Sequence, residues 1–303
     1  MRDWKALGVT FSRPDSLYLS PATLLAQHDG ALDRVVLVPM AHLYANPEFA
    51  GALDLTPAQA RARVRRENAW VAAAAARHAD RAVALCSVPA LADWALTDLV
   101  WCRDSLRVAG IKLHLASSQV DLRDSTHLAR LATIAAFAET NVLPLLLHVD
   151  PQRRGHDSTH VRALAERVFG PFPNLTVVVA HLGGSGGYGP WTRTVFRTLR
   201  RWRTEAERNG PTRSLYFDLS AVVLEEESEG VPATSDAELA LLRDDLRADG
   251  LDRVLLGSDY PVFDPLRTFE VLRTRVGLTD DELSRLSRAP GPRWRRGREP
   301  STG

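Results

Sequence analysis

The chain has 303 residues, 45% of them hydrophobic, with 38 Lys and Arg against 37 Asp and Glu. A formal charge of +1 excludes a general electrostatic pull toward nucleic acid or anionic membrane and leaves a small molecule as the expected partner. Residues 1–10 lack the apolar core of a secretion signal, no stretch approaches the roughly 18 apolar residues of a membrane span, and the two cysteines, Cys86 and Cys102, form no recognisable disulfide framework. These features predict a cytoplasmic protein in a reducing compartment, with the proviso that a coding start placed too late would hide a leader.

Seven short runs rich in Val, Leu and Ile read as strands covered on both faces: 34–39, 81–86, 110–114, 143–148, 175–181, 215–219 and 253–257. Between them lie helical segments at 58–78, 91–108, 125–140, 160–169, 190–208 and 236–248. Strands alternating with helices of this length predict parallel βαβ units with right-handed crossovers, hence an α/β protein. From Lys112 to His148 is 36 residues and from His148 to His181 is 33, while the 78 from His181 to Asp259 span two units. A (β/α)8 TIM barrel of about 250 residues averages roughly 31 per unit, which matches this rhythm. The expected organisation is a single barrel over residues 1–287 with a basic, disordered tail over 288–303. A doubly wound open sheet is the runner-up, weakened because Pro39-Met40-Ala41-His42 stands where a Gly-rich nucleotide loop belongs.

Four of the strands end on polar residues at the face where barrel active sites are built. Lys112 is one of only two lysines among the 38 basic residues, and a compact ammonium at the end of a buried strand suits a substrate carboxylate or an oxyanion. His114, two residues on, shares its strand face. His148 closes its apolar run and is suited to a metal or to proton transfer, the alternative being a core histidine bonded to backbone. His181 precedes Leu182-Gly183-Gly184-Ser185-Gly186-Gly187, whose amides can hold an anion or simply form a turn. Asp259, in Gly257-Ser258-Asp259-Tyr260-Pro261, is either a ligand or general base, or a capping residue. Arg153 and Arg154 follow the His148 strand and can grip a carboxylate. His28, His78, His127, His156 and His160 read as surface residues, whereas His42 lies just beyond a strand end.

Together, Gly110-Ile111-Lys112-Leu113-His114, Leu147-His148, Ala180-His181-Leu182-Gly183-Gly184 and Gly257-Ser258-Asp259-Tyr260-Pro261 resemble the amidohydrolase-superfamily TIM-barrel hydrolases, a group that includes lactonases and nonoxidative decarboxylases. The resemblance implies a divalent metal, commonly zinc, held by His148, His181 and Asp259. It also implies Asp259, His181 and Lys112 as catalytic groups and His114, Arg153 and Tyr260 as substrate contacts. The family's first-strand His-x-His is absent, and 7–11 is the only candidate for that strand. Three explanations stay open: a coding start placed too late, an enzyme without a tightly held metal, or a catalytically inactive barrel. The leading expectation is a metal-dependent hydrolase of a small carboxylated ester, lactone or amide, with a nonoxidative decarboxylase as the alternative. Barrels of this kind often pair, which makes a homodimer one candidate assembly, though the sequence identifies no interface.

Overall fold

A computed structural model describes residues 20–150, 155–228, 230–289, 291, 292 and 294. Its centre is one all-parallel sheet of seven strands in sequential order: β1 (Val35–Leu37), β2 (Ala82–Ser87), β3 (Gly110–His114), β4 (Leu145–His148), β5 (Thr176–Val179), β6 (Ser214–Asp218) and β7 (Val254–Leu255). The order never reverses, as it must at the switch point of a doubly wound sheet, so the strands follow the singly wound path of a TIM barrel. All seven coincide with the apolar runs read from sequence. The candidate for a preceding strand, 7–11, lies outside the described residues.

Ten α-helices accompany the strands in the described residues: α1 (Pro21–Gln27), α2 (Pro47–Ala52), α3 (Pro57–Ala76), α4 (Ala95–Trp101), α5 (Ser125–Thr140), α6 (Ser158–Leu164), α7 (Pro190–Arg208), α8 (Asp236–Asp249), α9 (Pro265–Thr274) and α10 (Asp280–Arg288). Their starts are written locally. Thr56 with Gln59, Ser235 with Glu238 and Thr279 with Glu282 form reciprocal capping boxes that satisfy otherwise orphaned amides. Helices α1, α2, α9 and α10 were not expected from the apolar rhythm. They are short, and three of the four begin with proline, which reads as a turn in sequence but is favoured in a first helical turn.

The strands alternate between two buried layers. Ile111, Leu113, Leu145, Leu147, Val177, Val179 and Phe217 face outward into the main core, where they meet Leu99, Leu131, Val161, Phe196 and Leu242 from the helices. The alternate residues Val36, Leu85, Leu146, Val178, Tyr216 and Leu255 form a separate inner cluster, closed by Trp294. That tryptophan belongs to the segment expected as a tail, but it packs inside the barrel. Gly110 makes room for it, since a Cβ there would stand 2.6 Å from a Trp294 ring carbon and 2.7 Å from the Pro144 carbonyl oxygen.

The outward layer also overturns the reading of the cysteines. Cys86 on β2 points away from the barrel and is disulfide-bonded to Cys102, in a single π-turn that follows α4, with Cα atoms 6.2 Å apart. Strand and helix fold against each other, and this brings together two residues whose 16-residue separation carried no signal. Among the described residues, no helix is long and apolar enough to cross a membrane.

Candidate active site

Two residues further along β2, β3, β4 and β6, the inward strand faces turn polar. Stepping by two takes Leu85 to Ser87, Gly110 to Lys112 and His114, Leu146 to His148, and Tyr216 to Asp218. All five of these polar residues are buried. The register aligns Ser87 with Lys112 and His114 with His148 across neighbouring strands, so their side chains converge on one mouth.

Four imidazoles form a continuous row across that mouth. His42, on the turn after β1, lies 5.1 Å from His114 between ring centroids; His114 stacks on His148 at 3.9 Å, and His148 meets His181 edge-on at 5.0 Å. His114 Nδ1 accepts the Ser117 amide at 3.3 Å, which places the proton of the neutral ring on Nε2. His181 Nδ1 lies 2.8 Å from the Ser220 carbonyl oxygen, which only accepts, so this nitrogen donates and Nε2 carries the lone pair of the neutral ring.

The His181 geometry is held by a network the sequence reading missed. Asp218 accepts hydrogen bonds from the His181 amide at 3.0 Å, from the Ser220 amide at 3.0 Å and from the Ser220 hydroxyl. His181 and Leu182 both adopt left-handed backbone, at φ 53° and 51°. Such conformations cost roughly 1 to 2 kcal/mol per residue and persist where surrounding bonds over-determine them. Asp218 supplies those bonds. It could have been found by the rule that picked the others, since it ends the run Leu215-Tyr216-Phe217 on the inward face.

Lys112 is 5% exposed. Burial pushes its pKa down, while the Asp259 and Asp218 carboxylates oppose that shift. The ammonium thus sits within electrostatic reach of both acids and of His42. Asp259 itself is exposed, on left-handed backbone at φ 63° after β7. Tyr260 turns its hydroxyl toward Gln27 of α1, at 3.4 Å, and its ring edge toward His28. Arg153 and Arg154 lie outside the described residues.

Two of the supposed surface histidines are interior. His28 is buried, with Nδ1 on the Leu24 carbonyl at 2.9 Å and Nε2 on Asp264 at 2.9 Å. His156 is buried with Nε2 between the Leu122 amide and Asp121. In sequence these residues lack an apolar strand before them, so nothing signalled that loops would fold over them. His78, His127 and His160 are partly exposed.

The metal implied by the family resemblance can be set against these side chains. His148 and His181 approach each other, but among the described residues no group of three or more His, Cys, Asp or Glu side chains is arranged to hold a metal ion. On this geometry the described residues do not fit a metal centre.

The amidohydrolase family model matches residues 18–287. An uncharacterized TIM-barrel protein from Bordetella bronchiseptica is similar at 19% identity, with 95% of this chain and 86% of that chain covered and a TM-score of 0.60. 5-Carboxyvanillate decarboxylase from Sphingomonas paucimobilis is similar at 18% identity, over 91% of this chain and 84% of that one, with a TM-score of 0.57. A dihydroxybenzoic acid decarboxylase from Polaromonas sp. JS666, solved with manganese and the inhibitor 2-nitroresorcinol, is similar at 15% identity, over 94% and 90%, with a TM-score of 0.58. No protein of curated function matches the sequence. At these identities the solved structures speak to the fold, and the family match spans most of the chain: this protein belongs to the amidohydrolase family, built on a TIM-barrel-like α/β scaffold.

Proposed function

We propose that this protein is a nonoxidative decarboxylase of a small aromatic or enoic carboxylic acid. The observation that carries the reading is the pairing of one buried ammonium, Lys112, with a row of four imidazoles at the barrel mouth. A carboxylate is the ligand such a cation selects, and protonation at carbon is the chemistry the neighbouring rings can supply. Similar folds in the Sphingomonas and Polaromonas proteins, which are named for decarboxylation of aromatic acids, support the same reading. The hydrolase expected first from sequence has less support, because several of the solved structures of similar fold are named for decarboxylation of aromatic acids.

In this scheme Lys112 fixes the substrate carboxylate, and the low-dielectric walls of the mouth replace its water shell. A proton carried on His181 Nε2 passes to the substrate carbon that bears the carboxylate, forming a C–H bond. The C–C bond to the carboxylate then breaks, its electron pair returns to the substrate π-system, and carbon dioxide leaves. Water reprotonates His181, so the net change is one proton and one carboxylate consumed for one C–H product and one carbon dioxide. The Ser220 carbonyl, fixed on Nδ1–H, keeps the reacting nitrogen aimed inward throughout.

The test is a panel of carboxyl-labelled aromatic and enoic acids beside a panel of esters, lactones and amides. Labelled carbon dioxide with the matching decarboxylated product is expected. Hydrolysis products without carbon dioxide would return the assignment to the hydrolase, and no turnover of either panel would leave a binding protein.

A further inference from the structure

His42 is 1% exposed, and its Nε2 has no hydrogen-bond partner. Buried polar atoms are almost always paired, and one left open costs about 1 to 3 kcal/mol, so an orphan on a ring at the barrel mouth calls for an explanation. The ring is not loosely placed. Its Nδ1 lies 2.7 Å from the Ser87 hydroxyl, and Ser87 is itself clamped by Asn68, whose amide donates to the Ser87 carbonyl at 2.8 Å and accepts the Ser87 amide at 2.9 Å. Asn68 is also buried, on α3. Two residues from two elements, Ser87 on β2 and Asn68 on α3, thus hold one imidazole in a fixed pose and leave its second nitrogen free.

That nitrogen shares the mouth with the cation. Ser87 is the register partner of Lys112, and the ammonium acts on His42 directly: burial first, and then Lys112, push its pKa down to about 3. His42 is accordingly a neutral ring beside the carboxylate-binding lysine. In one tautomer Nε2 donates and in the other it accepts. A hydroxyl both donates and accepts, so it complements either form, whereas a second carboxylate complements only one.

The geometry points to His42 as a specificity-determining residue whose open Nε2 recognises a hydroxyl group on the acid held by Lys112, with Ser87 and Asn68 as its positioning residues. This inference rests on the acid-binding reading of the mouth. It accounts for the buried orphan nitrogen, for the clamp behind it and for its place beside the only buried lysine among the described residues.

Calorimetric titration of the full chain with benzoate, 2-hydroxybenzoate and 3-hydroxybenzoate tests it, with the ratio of dissociation constants as the readout. At least one hydroxy acid should bind about fivefold more tightly than benzoate, the equivalent of one net hydrogen bond. His42→Phe should bring that ratio to about one. Ser87→Ala, which keeps the imidazole but frees it to turn, should lower it as well, and serves as the deciding variant where His42→Phe does not fold by circular dichroism. Lys112→Met should weaken all three acids together and leave the ratio standing. A ratio that persists in both the His42 and Ser87 variants overturns the inference while the acid-binding reading survives. A wild-type protein that binds none of the three acids overturns both, and a wild-type ratio of one overturns the inference alone.

Discussion

Gly110→Ala is the smallest change that probes how the barrel interior closes. One methyl group would be placed 2.6 Å from the Trp294 ring and 2.7 Å from the Pro144 carbonyl oxygen, against the 3.5 to 4.0 Å of a relaxed carbon contact, with Leu85 at 3.0 Å as a third neighbour. The indole can give way. The carbonyl cannot easily do so, because it accepts the Ile111 amide at 2.9 Å and so fixes the β3–β4 ladder. Overpacking typically costs about 1 to 3 kcal/mol, and a clash against ladder backbone belongs at the upper end, about 3 kcal/mol. For a chain of this size that corresponds to a fall in Tm of about 6 °C. Thermal melts followed by circular dichroism give the number, and a double-mutant cycle with Trp294→Ala gives its source. Gly110→Ala should cost at least about 1 kcal/mol less when the indole is gone. A Gly110→Ala protein within about 0.5 kcal/mol of wild type, or a cycle with no coupling, would refute the packing of Trp294 against β3.

The disulfide predicts that the denatured, unreduced protein shows no free thiol and that Cys102→Ser lowers stability by about 3 kcal/mol, the loop-closure value for a bridge of this span; two titratable thiols before reduction would contradict it. At His28, burial opposes the charge, but the Leu24 carbonyl and Asp264 outweigh it and hold its pKa above 6.5, while Asp264, despite its own burial, is held below its usual value by the Arg267 amide and by His28. The histidine's stabilisation is therefore complete below about pH 6.5 and is lost as pH rises through the raised value, while the aspartate's is present above about pH 4 and is lost below it. Urea midpoints should accordingly separate wild type from His28→Gln more at pH 5.5 than at pH 9, and parallel curves across that range count against the pair. His181→Asn should reduce turnover of any substrate found in the decarboxylation screen by about 10²- to 10⁴-fold, the range for a group engaged in proton transfer, and undiminished kcat would remove His181 from the chemistry.

The sequence revealed the scaffold well because parallel strands, covered on both faces, leave uninterrupted apolar runs such as 143–148 and 175–181. The polar ends of those runs, Lys112, His114, His148 and His181, do meet, because strand pairing in register carries them to one mouth. Groups that depend on a turn or on side-chain contact were harder to see. His42 lies past its strand and was recognised only as a position not to dismiss, and Ser87 and Asp218 are ordinary residue types whose importance comes from what they hold. Cys86 and Cys102 were misread because a pair bridging one strand and one helix needs the crossover packing before it becomes visible.

The place of Trp294 gives the barrel an order in time. The pocket at Gly110 that it fills is synthesised some 180 residues before the indole that fills it. At about 5 to 20 residues per second, translation separates the two by roughly ten to forty seconds. During that interval β2, β3 and β4 can pair, but the inner layer beneath the histidine row keeps an apolar hollow. Trp294 is thus the residue that fills the inner layer late, and nascent chains stalled before it should hold the sheet while remaining accessible to chaperones and proteases at the floor of the site.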